Sequence, residues 1–103
     1  IIDHQAVGFR LVDAKTQLEA ARQLTLHAAR LKDSGQPALE AAAMAKLFAS
    51  EAAEAVCTAA IQTLGGYGFL CDYPVERIYR DVRVCQIYEG TSDIQKIILQ
   101  RML

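Results

Sequence analysis

The sequence predicts an all-α fold, a four-helix up-and-down bundle, and three observations carry that expectation. Apolar residues recur every three or four positions over much of the chain. Alanine supplies 11 of the 23 residues from Ala38 to Ala60, and no residue has a higher helix propensity. Stop and start signals punctuate the pattern at Asp33–Pro37, at Gly65 and at Ser92.

The first helix is expected from Ile2 to about Lys32. Val7, Leu11, Ala14, Leu18, Ala21, Ala28 and Leu31 form one stripe, bridged in the middle by Leu24 and Thr25. Lys15, Glu19 and Arg22 sit opposite as a solvated face of alternating sign. The segment Asp33-Ser34-Gly35-Gln36-Pro37 stops this helix, and its proline suits the first turn of the next. The second helix then runs from Pro37 to about Leu64. Its small residues lie on several faces, so it reads as the inner helix, with Glu40, Lys46, Glu51 and Glu54 exposed or paired.

Gly65 is expected at the left-handed C′ position that ends the second helix. From Gly65 to Pro74 the chain is an irregular stretch with three glycines, Gly65 included. Asp72 is the expected cap of a third helix that starts near Pro74 and carries Arg77, Arg80 and Arg83, with local ion pairs to Asp72, Glu76 and Asp81. The fourth helix begins with Ser92 as N-cap and Gln95 three residues on, a capping box. Its apolar set is Ile94, Ile97, Ile98, Met102 and Leu103.

Composition narrows the function. The chain has 103 residues, enough for one domain over 1–103, and it opens Ile1-Ile2-Asp3 without a methionine, which reads as a piece of a longer chain. With 52% hydrophobic residues and a net charge of −1 it is not a disordered segment. Eleven basic against 12 acidic residues leave no electrostatic footprint for nucleic acid. No apolar run reaches the roughly 18–20 residues of a membrane span. Cys57, Cys71 and Cys85 are odd in number and contain no C-x-x-C pair, which indicates a reducing compartment and three small apolar residues. His4 and His27 are far apart on one helix, so no metal is expected.

Two stretches have the wrong composition for plain connectors. In Gln62–Gly68, clustered glycines let backbone come close to a ligand and offer amides to phosphate oxygens. A helix cap followed by a tight turn explains the same residues. In Ile87-Tyr88-Glu89-Gly90-Thr91 a carboxylate stands at the mouth of a helix. Desolvation by Ile87 and Tyr88 favours its neutral form, while the positive helix end favours the ionised one. General base and solvated surface charge both remain open on these residues alone.

Taken together, Gln62-x-Leu64-Gly65-Gly66-x-Gly68-Phe69, Tyr73-Pro74-Val75-Glu76-Arg77, Arg80-Asp81 and Ile87-Tyr88-Glu89-Gly90-Thr91-Ser92-x-Ile94-Gln95 resemble the C-terminal helical domain of the acyl-CoA dehydrogenases. His4-Gln5 and Met44-Ala45-Lys46 fit the same family, and the resemblance covers essentially the whole chain.

That resemblance implies oxidation of acyl-CoA thioesters to trans-2-enoyl-CoA, with FAD accepting the β hydrogen as hydride. It implies Glu89 as the base that removes the α proton. Gln62, Gly65 and Gly66 would meet the adenosine diphosphate half of FAD from a neighbouring subunit, and Thr91 and Asp93 would approach the flavin nucleotide. The position of Asp93 is often glutamine in the family, and an acid beside a pyrophosphate is unfavourable unless bridged. Tyr88 and Gly90 match positions lining the thioester and pantetheine, and Arg101 one near the CoA side.

The family also implies an α-helical domain and a β-rich domain ahead of this one, a dimer or a dimer-of-dimers tetramer, and electron-transferring flavoprotein as acceptor. The compartment it implies is the bacterial cytoplasm or the mitochondrial matrix. Without the other domains the chain is not expected to turn over. A second reading, from a different class, is a non-catalytic helical oligomerisation module derived from this family; Glu89-Gly90-Thr91 speaks against it, since packing alone gives no reason to keep those residues.

Overall fold

The computed structural model describes all 103 residues and is helical throughout, without strands. Helix α1 spans Gln5–Asp33, α2 Leu39–Leu64, α3 Gly66–Phe69, α4 Val75–Arg83 and α5 Ser92–Gln100, with a 3₁₀ turn over Val84–Gln86 between the last two. The four long elements are those the periodicity predicts; α3, a single turn, and the 3₁₀ segment are additions. A five-residue link joins α1 to α2, so the two lie antiparallel as a helical hairpin. Their lengths set the long dimension of the molecule, 46 Å against 26 and 24 Å.

The link closes as the composition leads one to expect. Gly35 has φ of 72°. Its amide bonds the Lys32 carbonyl at 3.1 Å and the Gln36 amide bonds the Leu31 carbonyl at 2.9 Å, the paired bonds of a Schellman stop. Helix α2 starts two residues later than expected, and α1 three residues later, with no side-chain cap on either.

Helix α2 is the inner helix. Ala41, Ala45 and Ala52 are buried on one side and Ala43 and Ser50 on the other, about 180° round at 3.6 residues per turn. Helix α1 lies on the first side, with Arg10, Ala14 and Gln17 near Ala55, Val56 and Ala59. The segment α4–α5 lies on the second. Apart from Gln95, every buried residue is alanine, glycine or serine, so these helices approach closely because nothing bulky separates them.

Several expectations need correction. The inward stripe of α1 is Val7, Arg10, Ala14, Gln17, Ala21, Leu24, Ala28 and Leu31; Leu11 and Leu18 flank it, each 47% exposed, and Thr25 is exposed. Arginine and glutamine can serve there because their aliphatic stems cover apolar surface while the polar ends reach water. Gly65 has φ 60° but ψ −135°, outside the left-handed helical region, because the chain must change direction into α3. Asp72 caps nothing: Pro74 precedes the first residue of α4 and no side chain bonds there. The arginine row forms no local pairs; its one ion pair is Arg83 Nε to Glu54 Oε1 on α2, 3.7 Å. Exposed local pairs gain too little to fix their side chains.

At α5 the N-cap is Thr91, not Ser92, so the capping box fails. The Thr91 hydroxyl accepts from the Ile94 amide at 3.2 Å. Gln95, Ile98 and Leu99 turn inward, while Ile94, Ile97, Met102 and Leu103 are exposed.

The chain exposes 7455 Å², whereas a self-contained monomer of its 11.3 kDa exposes about 5,700 Å². Its radius of gyration is 16.0 Å against about 13 Å for a compact chain of this length. Phe9, Val12, Phe69, Ile87 and Tyr88 are each more than half exposed. Apolar faces are left over once the helices have packed on one another.

Candidate functional site

The turn between the 3₁₀ segment and α5 has the most unusual backbone in the chain. Glu89 is the single non-glycine residue at positive φ, 54°, and Gly90 follows at 91°. A left-handed conformation costs a residue with a Cβ roughly 1–2 kcal/mol, so neighbouring contacts must hold it. They are present. The Gly90 carbonyl accepts from Lys46 Nζ of α2 at 2.6 Å and from Gln95 Nε2 of α5 at 3.2 Å. On the near side, the Ile87 and Tyr88 amides both bond the Val84 carbonyl, at 2.9 and 3.1 Å. Thr91 caps α5 on the far side. A side chain at Gly90 would be strained at this φ and would lie 2.8 Å from Gln95 Nε2, displacing the amide that bonds the Gly90 carbonyl.

Glu89 is exposed and makes no ion pair within the chain. Tyr88 beside it is half exposed, and its hydroxyl lies 3.3 Å from Cys85 Sγ. That hydrogen bond pushes the Tyr88 phenol above its ordinary pKa, with the Cys85 charge and Glu89 acting in the same direction. Cys85 is thus a bonded side chain rather than only a small apolar one; Cys71 is exposed, and Cys57, half-buried, has a thiol pushed up by burial.

At the first turn of α5 the Ser92 hydroxyl is buried and has no partner within the chain. The leading amides of a helix lack intrahelical acceptors, and Asp93 adds an acid where the helix dipole favours one. Arg101 caps the far end of α5, about 15 Å from Thr91 at 1.5 Å per residue.

Gln62, Gly65 and Gly66 lie elsewhere. They lie at the end of α2 and the start of α3; the first of them, Gln62, is 16 residues beyond Lys46, hence about 24 Å along the axis from the contact with Gly90. All three are exposed, and a Cβ at Gly66 would meet open space. Gly68 differs: a Cβ there would lie 2.6 Å from the Ile61 carbonyl oxygen. Its glycine serves helix packing, not a ligand. Gln62 opens onto a cleft of about 580 Å³ shared with Arg10, Glu54 and Gln86.

So the structure gathers Tyr88, Glu89, Gly90, Thr91 and Asp93 in one turn, leaves Arg101 at the other end of α5, and leaves the glutamine–glycine group remote. Sequence reasoning missed three residues that shape the turn: Lys46, Gln95 as a donor to Gly90, and Cys85. The signal for Lys46 was a lone cation in the alanine-rich inner helix. It also missed a groove of about 1060 Å³ lined by Ile61, Phe69, Tyr79, Arg80 and Ile87. No three His, Cys, Asp or Glu side chains converge as metal ligands, and no helix is long and apolar enough to cross a membrane.

The family model for the acyl-CoA dehydrogenase C-terminal domain matches residues 1–103. The chain is 48% identical over 103 residues to the caffeyl-CoA reductase–Etf complex subunit CarC of Acetobacterium woodii, covering all of this chain and 27% of that protein. It is 53% identical over 95 residues to the human mitochondrial short-chain specific acyl-CoA dehydrogenase, covering 92% of this chain and 23% of that one. Among solved structures, butyryl-CoA dehydrogenase from Megasphaera elsdenii superposes with a TM-score of 0.96 at 44% identity, over 98% of this chain and 26% of that one. The chain therefore spans about a quarter of the length of the relatives it matches.

Proposed function

The chain belongs to the acyl-CoA dehydrogenase family by its C-terminal domain, and we propose that within a longer protein it supplies the base of an FAD-dependent α,β-dehydrogenation of acyl-CoA thioesters, Glu89. One observation carries this reading: a carboxylate held at positive φ, on a turn whose next carbonyl is fixed from two helices. Strain of that kind concentrates where a side chain must point in one direction. An α C–H beside a thioester is a weak acid, and its removal needs a positioned base and a water-poor environment. Glu89 supplies the first. The second must come from outside this chain, because Glu89, Tyr88 and Ile87 are all exposed. For that reason the isolated chain is inactive.

FAD, when bound, supplies the acceptor for the β hydrogen leaving as hydride. The residues present fit it: the unpartnered Ser92 hydroxyl and the open amides at the start of α5 offer donors to a nucleotide, and Thr91 borders them. Asp93 is tolerated as a helix-stabilising acid of the first turn, with its charge turned from the phosphates or bridged. Gln62, Gly65 and Gly66 serve the adenosine diphosphate half of a flavin bound at a neighbouring copy. The 24 Å between them and the Glu89 turn supports that division. Tyr88 and Gly90 border the thioester, and Arg101 the CoA side.

Acyl-CoA is then the substrate, electron-transferring flavoprotein the acceptor, and a homo-oligomer, dimer or tetramer, the working state. The excess of exposed apolar surface agrees with such an assembly. The compartment is bacterial cytoplasm or mitochondrial matrix. Replacing Glu89 by Gln in the full-length enzyme tests the reading. Turnover should fall about 10²–10⁴-fold with flavin content unchanged, and turnover within twofold of the parent would refute the assignment.

A further inference from the structure

The contact between Lys46 and Gly90 joins residues 44 apart in sequence and ties the inner helix to the one strained turn of the chain. We propose that Lys46 is a positioning residue for proton abstraction: its ammonium, by bonding the Gly90 carbonyl, keeps Glu89 and Gly90 at positive φ and so fixes the direction of the Glu89 carboxylate. The inference rests on the reading of Glu89 as the base.

Several features converge on it. Lys46 is half-buried on the inner helix and lies, with Ser50 and Glu54, on the face turned towards α4–α5. The Gly90 carbonyl is the one hydrogen-bond partner of its ammonium, and it forms no ion pair. A charge-assisted bond of 2.6 Å is the shorter and stronger of the two that Gly90 receives. The other donor, Gln95, sits on α5, immediately beyond the turn, and moves with it. Lys46 is the anchor on a separate helix. Without it the peptide between Gly90 and Thr91 is held by Gln95 alone, so the turn can rearrange and Glu89 can relax to negative φ with its carboxylate redirected.

The test uses the full-length flavoenzyme with Lys46→Met, Lys46→Gln and Lys46→Arg, beside Glu89→Gln. Two readouts are taken at matched flavin content: kcat and KM for a saturated acyl-CoA, and exchange of the substrate's α hydrogens with D₂O, which reports proton removal separately from flavin reduction. Lys46→Met should lower kcat and exchange together by about 10- to 100-fold, the scale of a displaced catalytic group, with KM changed less than threefold. Lys46→Arg keeps a charged donor and should recover most of the loss. If Lys46→Met gives no soluble protein, Lys46→Gln decides, since its amide falls one atom short of the ammonium and should show the same loss.

If Glu89→Gln abolishes exchange while Lys46→Met, or Lys46→Gln in its place, retains it within twofold, the positioning role is wrong and the base stands. If Glu89→Gln itself retains exchange, the reading beneath the proposal fails. A loss confined to flavin content or thermal stability, with normal kcat per flavin, would show Lys46 to be structural only and would overturn the proposal.

Discussion

The two faces of α2 do different work, and they differ in what they are made of. Towards α1 the helix presents Ala41, Ala45, Ala52 and Ala59, and although Arg10 and Gln17 face it, no side-chain hydrogen bond or ion pair crosses the contact. Towards α4–α5 it presents Lys46, Ser50 and Glu54 at four-residue spacing, and each bonds the facing segment. Lys46 Nζ donates to Gly90, the Ser50 carbonyl accepts from Gln86 at 3.5 Å, and Glu54 accepts from Gln86 and pairs with Arg83. Hydrophobic burial is non-directional and tolerates small shifts. A row of hydrogen bonds does not, because each has a preferred length and angle. The first face makes the hairpin; the second sets where one turn lies.

The largest stability effect should come from Gly68→Ala, where the new methyl meets backbone atoms of Ile61 at 2.6 and 2.8 Å that cannot swing aside. A loss of about 3 kcal/mol is expected by thermal unfolding, the upper part of the overpacking range. A pair of substitutions then separates the two faces. Ala45→Leu and Ala43→Leu should each cost roughly 1–3 kcal/mol, since both sites are buried, 6% and 2% exposed. Only Ala43→Leu should also lower turnover of the full-length enzyme, by pushing Lys46 away from Gly90. Equal kinetic effects from the two would erase the distinction.

How much of this is legible in sequence follows the same division. The hairpin is readable because alanine content, the Gly35 stop and the three-to-four periodicity all act locally. Even so the stripe on α1 shifts: Leu11 and Leu18 look like core by hydropathy, yet Arg10 and Gln17 face α2. A helix with apolar residues on more than one side does not announce which stripe its neighbour covers. The Glu89 turn is readable as residues but not as geometry. That Gly90 takes its second bond from a lysine 44 positions earlier depends on how α2 is rotated, and no local pattern records that. Ser92 illustrates the same limit, since Ser92 with Gln95 makes a good capping box on paper, while Thr91 is the N-cap and Gln95 donates to the Gly90 carbonyl instead.

Smaller effects sharpen the contrast at side-chain level. Cys85→Ala removes the hydrogen bond that raises the Tyr88 phenol, so that phenol should titrate at lower pH, read by its ultraviolet absorbance, with little change in melting temperature. On the outer surface of α1, Gln23 and then Arg22 hold the Glu19 carboxyl below its ordinary value, through contacts of 2.7 and 2.6 Å. A carboxyl lowered in the folded state favours folding above its unfolded pKa, and that contribution disappears as pH falls through the lowered value. Glu19 is fully exposed, so Glu19→Gln should leave the acid limb of the stability curve within error of the parent.

The most direct measurement is a crystal structure of the full-length flavoenzyme with a non-reactive acyl-CoA analogue bound. A Glu89 carboxylate oxygen is expected within about 3.5 Å of the analogue's α carbon, with Glu89 and Gly90 still at positive φ and Lys46 still on the Gly90 carbonyl. A carboxylate from elsewhere at the α carbon, with Glu89 turned to solvent, would contradict the assignment of the base and with it the role given to the polar face of α2.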